Sequence, residues 1–228
     1  MTALVMVTRD PFCHPWKRAE RVMDEAIRRN FEVVIGLDER SCQDCLQEMF
    51  GQPVSIYPFT PPYDSCGPVL DEMVHKANDP TVLLVSDDEE PSPGLWDFAT
   101  KPTIPDLSWT VRMLTPVPDG RLYELGTEIQ IRVIAKDYWR WIGGISGYDE
   151  HAGRVGASQK ILWHYALHAS RDLREKKIPA YRLGSLQDPL TPEQWDKDWH
   201  TFAARHYWED NPDAIVPMPA DLAAQLRG

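Results

Sequence analysis

Asp87, Asp88, Glu89 and Glu90 stand in a row, directly after Thr81-Val-Leu-Leu-Val-Ser86 and directly before Pro91-Ser-Pro-Gly94. Four adjacent carboxylates repel one another unless a cation or solvent separates them. Hard divalent cations such as Mn2+ or Mg2+ take oxygen ligands, often one or two carboxylates completed by substrate phosphates. The run therefore reads as a metal–diphosphate site, with a solvated acidic turn as the bland alternative. Val82 to Val85 is short, apolar and rich in β-branched residues, the pattern of a strand buried on both faces of a parallel sheet. Ligands of open α/β sheets bind just beyond the carboxyl ends of such strands. Pro91, Ser92, Pro93 and Gly94 are expected to stop regular structure, leaving the acids on a solvent-facing turn.

A second group of chemistry-bearing residues lies further on. Gly143-Gly-Ile-Ser-Gly-Tyr-Asp-Glu-His151 is a glycine-rich loop, and glycine lets a backbone approach a ligand closely. Tyr138, Trp139 and Trp141 precede it and offer faces for stacking, with Arg140 and Arg154 nearby. Asp149, Glu150 and His151 are its titratable groups. His164, His168, His200 and His206 are further imidazoles, each more readily read as structural than as a metal ligand. Cys42-Gln-Asp-Cys45 has CxxC spacing, but no second CxxC or paired histidine motif completes a zinc site, and Cys13 and Cys66 stand alone.

The 228 residues suffice for a large domain with a substantial core. A net charge of −11, from 24 basic and 35 acidic residues, lacks the basic footprint of a general nucleic-acid binder. A local basic groove remains compatible with it. No apolar run reaches transmembrane length and no signal-peptide core opens the chain, so a soluble, cytoplasmic setting without a membrane partner is the expectation.

The elements that must position these groups follow in order. Ala3–Val7 reads as a strand, Lys17–Asn30 as an amphipathic helix and Phe31–Leu37 as a second strand, a unit whose sheet should be parallel. A helix over Ser41–Phe50, a strand over Pro53–Pro58 and a helix over Pro68–Asn78 lead into the acidic strand. The alternation β-α-β-α-β-α-β marks an α/β fold. Residues 97–121, punctuated by prolines, read as a long irregular segment able to act as a lid. Glu128–Ala135 alternates like a half-buried strand, with Gln130 and Arg132 on its polar side. Asp137–Trp141 reads as an aromatic turn, Ser158–Lys176 as a long helix and Ile178–Leu183 as a short strand. An aromatic-rich helix from Thr191 and a last helix over Pro219–Arg227 complete the reading.

This order resembles the GT-A glycosyltransferases, especially the family-2-like branch and the polypeptide N-acetylgalactosaminyltransferases. Leu83 to Pro93 is similar to their "DxD" region, with Asp87-Asp88-Glu89 as a DxE form. Ile131 to Glu150 resembles their acceptor-side segment: a strand, an aromatic turn, Gly-Gly, then Tyr-Asp-Glu. The resemblance implies a Rossmann-like mixed sheet flanked by helices, one domain with a C-terminal helical extension. Residues 1–96 would be its nucleotide-sugar half, 97–190 its acceptor-side half and 191–228 the extension. It implies Thr8, Arg9, Asp38, Asp87 and Asp88 as donor contacts, and Asp87 and Glu89 as ligands of Mn2+ or Mg2+. Trp139, Trp141, Gly144 and His151 would face the acceptor. The acid that the family usually carries downstream is missing from Val155-Gly-Ala-Ser-Gln-Lys160, which leaves Asp149 and Glu150 as candidate catalytic carboxylates. The activity implied is metal-dependent transfer from a nucleoside-diphosphate sugar, UDP-linked, to a hydroxyl on a small molecule, glycan, protein or hydroxymethylated DNA base. A catalytically silent sugar-nucleotide binder and a nucleotidyltransferase are the alternatives.

Overall fold

The computed structural model describes residues 2–8, 17–38, 54–59, 66–104, 106–143, 150–168 and 208–227. Strands β1 (Thr2–Thr8), β2 (Glu32–Asp38), β3 (Val54–Phe59) and β4 (Thr81–Ser86) form the parallel half of one sheet, in the order β3-β2-β1-β4. Helix α1 (Lys17–Arg28) lies between β1 and β2 in sequence, and α2 (Cys66–Lys76) between β3 and β4. Almost every side chain of β1 and β4 is buried, because each has strand neighbours on both edges and apolar cover on both faces. One face packs Leu4, Met6, Val33, Ile35 and Val85 against Val22, Met23 and Ala26 of α1. The other packs Ala3, Val5, Val34 and Leu84 against Leu70, Met73 and Val74 of α2. Helix α1 stops where Asn30 takes the left-handed conformation (φ 59°) and Phe31 N–H returns to the Ala26 carbonyl at 2.9 Å.

The sheet continues through β5 (Glu89–Pro91), β6 (Ser108–Pro116), β7 (Leu122–Ala135) and β10 (Val155–His164) in the order β4-β7-β6-β10-β5. Strand β7 runs antiparallel to β4 and β6, and β10 runs parallel to β6. This is the mixed α/β sheet flanked by helices that the resemblance implies. A separate two-stranded ribbon joins β8 (Arg140–Gly143) to β9 (Glu150–Ala152).

Three expectations are corrected. Regular structure does continue past the acids: Pro91 ends the edge strand β5, where a missing N–H costs little, and Pro93 opens helix α3 (Pro93–Thr100). Ser92 caps that helix, its hydroxyl accepting from Leu95 N–H at 3.3 Å. Residues 97–121 are no long irregular lid, since they hold the end of α3 and all of β6. Trp109 is fixed in β6 by an edge-on contact with Phe98 at 5.3 Å. The helix expected from Ser158 is strand β10 as far as His164, followed by a 3-10 turn over Ala166–His168. Ile161, Leu162 and Trp163 are consecutive and all buried, as in a strand covered on both faces, while Ile161, Leu162 and Tyr165 by themselves have the spacing of a helical stripe.

The strand expected over Glu128–Ala135 is present and starts earlier, at Leu122. The aromatic turn is a 3-10 turn over Lys136–Tyr138, and the last helix is α4 (Ala220–Arg227). Strand β11 (Ile215–Val216) pairs with the start of β7, and Val216, Met218 and Leu222 pack on Leu114, Leu122, Trp163 and Tyr165. The helix over 41–50, the strand over 178–183 and the aromatic helix from 191 lie outside the described residues.

Candidate functional site

Strands β1 and β4 are adjacent and parallel, with β2 and β3 beyond one and β7 beyond the other. The chain order reverses between them, and at such a reversal the carboxyl ends of the strands are where α/β sheets bind ligands. Thr8 ends β1 beside the residues that follow β4, and its hydroxyl donates to Asp87 Oδ2 at 2.7 Å. Asp38 ends β2 at the same edge.

The four acids do not form one cluster. Asp87 and Asp88 occupy the turn between β4 and β5, and β5 turns Glu89 and Glu90 to opposite sides. Glu89 is 2% exposed, which corrects the expectation of a solvent-facing metal ligand. Its Oε1 accepts from Arg132 Nη2 at 2.6 Å and its Oε2 from Ser86 N–H at 2.8 Å. Arg132 is equally buried, beside Met113 Sδ at 3.7 Å, and so is not on a polar face of β7. Glu90 Oε2 lies 3.1 Å from Arg21 Nη2 and 3.6 Å from Arg18 Nε. Repulsion along the run is thus relieved by basic side chains of α1 and β7.

Asp88 is held through its backbone, the Tyr165 N–H donating to its carbonyl at 2.8 Å. Its carboxylate lies 3.6 Å from His164 Nε2, at the end of β10. Burial opposes charging that imidazole, but the Asp88 carboxylate, with Glu89 and Glu128 behind it, outweighs burial and raises the His164 pKa. Tyr165 is pushed up to about 12, by burial first and by Glu90 second.

Among the described residues no group of three or more His, Cys, Asp or Glu side chains is arranged to hold a metal ion. Mn2+ and Mg2+ need few protein ligands, because phosphate oxygens and water complete their shells, so a pair of carboxylates such as Asp87 and Asp88 is chemically of the right type.

The acceptor-side expectations fare differently. Trp139 is 1% exposed and packs among the α2 residues Val69, Leu70 and Met73, so its faces are closed to a ligand. Ala135 pairs with Thr81, placing the Lys136–Tyr138 turn beside the start of β4, about 20 Å of strand from the acid turn. Trp141 pairs with His151, and Gly143 with Glu150, in the β8–β9 ribbon, which leans on α2 where Arg140 meets His75. Arg9, Gly144 and Asp149 lie outside the described residues.

Arg18, Arg132 and Tyr165 are site-forming residues that the sequence reading did not single out. For Arg132 a signal existed: it is the one charge in the otherwise apolar run Ile131–Ala135, which is buried throughout. Among the described residues no helix is long and apolar enough to cross a membrane.

No family model matches the chain, and no curated protein matches it. Several solved structures are similar to it. TarS of S. aureus in complex with UDP-GlcNAc is 13% identical with a TM-score of 0.48, over 91% of this chain and 73% of that one. GalNAc-T7 with UDP, GalNAc and Mn2+ is 10% identical with a TM-score of 0.44, over 72% of this chain and 44% of that one. A nucleotidyl transferase from Methanothermobacter thermautotroptrophicus is 15% identical with a TM-score of 0.31, over 60% of this chain and 74% of that one.

Proposed function

We propose that the protein is a metal-dependent glycosyltransferase that moves a sugar from a nucleoside-diphosphate sugar, UDP-linked, to a hydroxyl acceptor. The observation that supports this best is the pair Asp87 and Asp88 at the reversal point of the sheet, one tied to Thr8 on the neighbouring strand and the other set beside His164. Asp87 and Asp88 would hold Mn2+ or Mg2+, with phosphate oxygens and water completing the shell. Bound there, the ion supplies Lewis-acid neutralisation of charge on the departing diphosphate. Thr8 orients Asp87 through its Oδ2. Arg9 and Asp38 would contact the nucleoside. Glu89 becomes a support beneath the turn in place of a ligand.

On the acceptor side, Asp149 or Glu150 takes the proton of the attacking hydroxyl as its oxygen bonds to the anomeric carbon and the bond to the diphosphate oxygen breaks. The acceptor classes remain a small molecule, a glycan, a protein side chain or a hydroxymethylated DNA base. The setting proposed is cytoplasmic.

A panel of UDP- and GDP-sugars incubated with Mn2+, with and without EDTA, tests the reading. Slow donor hydrolysis that EDTA and Asp88→Asn both abolish is expected. Tight donor binding without turnover would instead identify a silent sugar-nucleotide binder. Pyrophosphate release from a nucleoside triphosphate would identify a nucleotidyltransferase.

A further inference from the structure

Arg18 is the second residue of α1, the helix that follows β1 in the chain. Its guanidinium carbon sits 3.4 Å from the centroid of the Tyr165 ring, and its side chain is only 11% exposed. Tyr165 is tied to the acid turn by the bond from its N–H to the Asp88 carbonyl at 2.8 Å. Arg18 is therefore seated, through one intermediary, against the residue proposed to hold the metal.

The charge around it is incompletely matched. Glu90 Oε2 serves two guanidinium groups, Arg21 at 3.1 Å and Arg18 at the longer distance of 3.6 Å. The Arg18 Nε is buried with no hydrogen-bond partner among the described residues. Burial pulls the Arg18 pKa down, opposed by Tyr165, Glu90 and Asp88, yet an arginine so placed stays cationic at neutral pH. A desolvated cation whose close carboxylate among the described residues is shared with Arg21 is poised for another anion. A guanidinium also presents a planar fork that matches phosphate oxygens two at a time. Stacking on Tyr165 fixes that plane before a ligand arrives, so less side-chain freedom is lost on binding.

We propose that Arg18 contacts the donor's diphosphate directly, as a second cation that acts independently of the metal. This rests on the transferase reading above. Tyr165 acts as the platform that orients Arg18. Arg21, exposed and closer to Glu90, keeps that carboxylate paired when Arg18 is removed, so the substitution leaves no orphaned acid.

The experiment is calorimetric binding of UDP, UMP and uridine to the wild type and to Arg18→Gln, Arg18→Lys and Arg21→Gln, each with Mn2+ and with EDTA. Thermal midpoints are recorded alongside. The wild type should bind UDP more tightly than UMP in Mn2+ and keep part of that preference in EDTA. Arg18→Gln should lose about tenfold in UDP affinity in both conditions, with uridine affinity and thermal midpoint unchanged. Arg18→Lys should recover part of the loss, since it keeps the charge and gives up the fork. Arg21→Gln should bind UDP as the wild type does. Equal UDP affinity for Arg18→Gln and wild type would overturn the proposal while leaving the transferase reading standing. So would a loss for Arg18→Gln shared equally by uridine or by the thermal midpoint, since that marks a structural role. A wild type that binds none of the three probes in either condition would overturn both.

Discussion

Removing Arg132 tests whether the acid turn is held by a buried charge. Glu89 and Arg132 are each 2% exposed, and their contact is 2.6 Å. In Arg132→Met, a side chain of similar length, the Glu89 carboxylate keeps the Ser86 N–H and loses the cation that faced it. Breaking a buried pair from one side costs about 3–5 kcal/mol, against about 0–1 kcal/mol for a surface pair. For a chain of this size each kcal/mol moves the thermal midpoint by about 2–4 °C, so Arg132→Met should lower it by about 6–20 °C. The double variant Glu89→Met with Arg132→Met removes both desolvation penalties and places apolar atoms beside Met113. It should recover most of the loss, giving a non-additivity of about 2 kcal/mol or more. Urea unfolding of the wild type, both single variants and the double variant measures this cycle, with an unchanged m-value confirming that the same transition is compared. A loss below about 1 kcal/mol in Arg132→Met would place the pair in the surface range and refute the reasoning. So would a double variant as unstable as the sum of the singles.

Two further outcomes are expected. Asp149→Asn or Glu150→Gln should cut transfer to acceptor by about 10²-fold or more with donor affinity unchanged, in the range of a general base; steady-state transfer with calorimetric donor binding checks it, and wild-type rates in both variants would place the base elsewhere. His168 has its pKa lowered, by burial first and by Arg18 second, and its Nε2 is buried with no partner among the described residues. A histidine with a depressed folded-state pKa contributes stability that is present above its unfolded value, about 6.5, and is lost as pH falls through the folded one. His168→Phe keeps a ring against Tyr165, and should flatten the fall in urea midpoint between about pH 7 and pH 5; an unchanged slope would show that another group carries that dependence.

The first half of the fold was legible because its strands are covered on both faces and its helices on one. Ala3–Val7 and Val82–Val85 are continuous apolar runs, and Ala19, Val22, Met23 and Ala26 repeat at helical spacing, so pattern and burial coincide. The second half was harder because local signals there have two meanings. Pro91 and Pro93 are breakers in an element's interior but ordinary residues on an edge strand and at a helix's first position, and only the sheet's outline tells which applies. Ile161, Leu162 and Trp163 fit a helix or a fully covered strand, and the neighbours β5 and β6 decided for the strand. The same limit governed the site. That the acids needed cations follows from their adjacency; which cations they found does not. Arg132 is 43 residues from Glu89, and Arg21 is 69 from Glu90, so each pairing is a consequence of strand order. Sequence spacing located the charge and the sheet divided it: Glu89 to Arg132, Glu90 to Arg18 and Arg21 of α1, Asp87 to Thr8 and Asp88 to His164. Thr8 and His164, which meet Asp87 and Asp88, come from β1 and β10, so those contacts too are consequences of strand order.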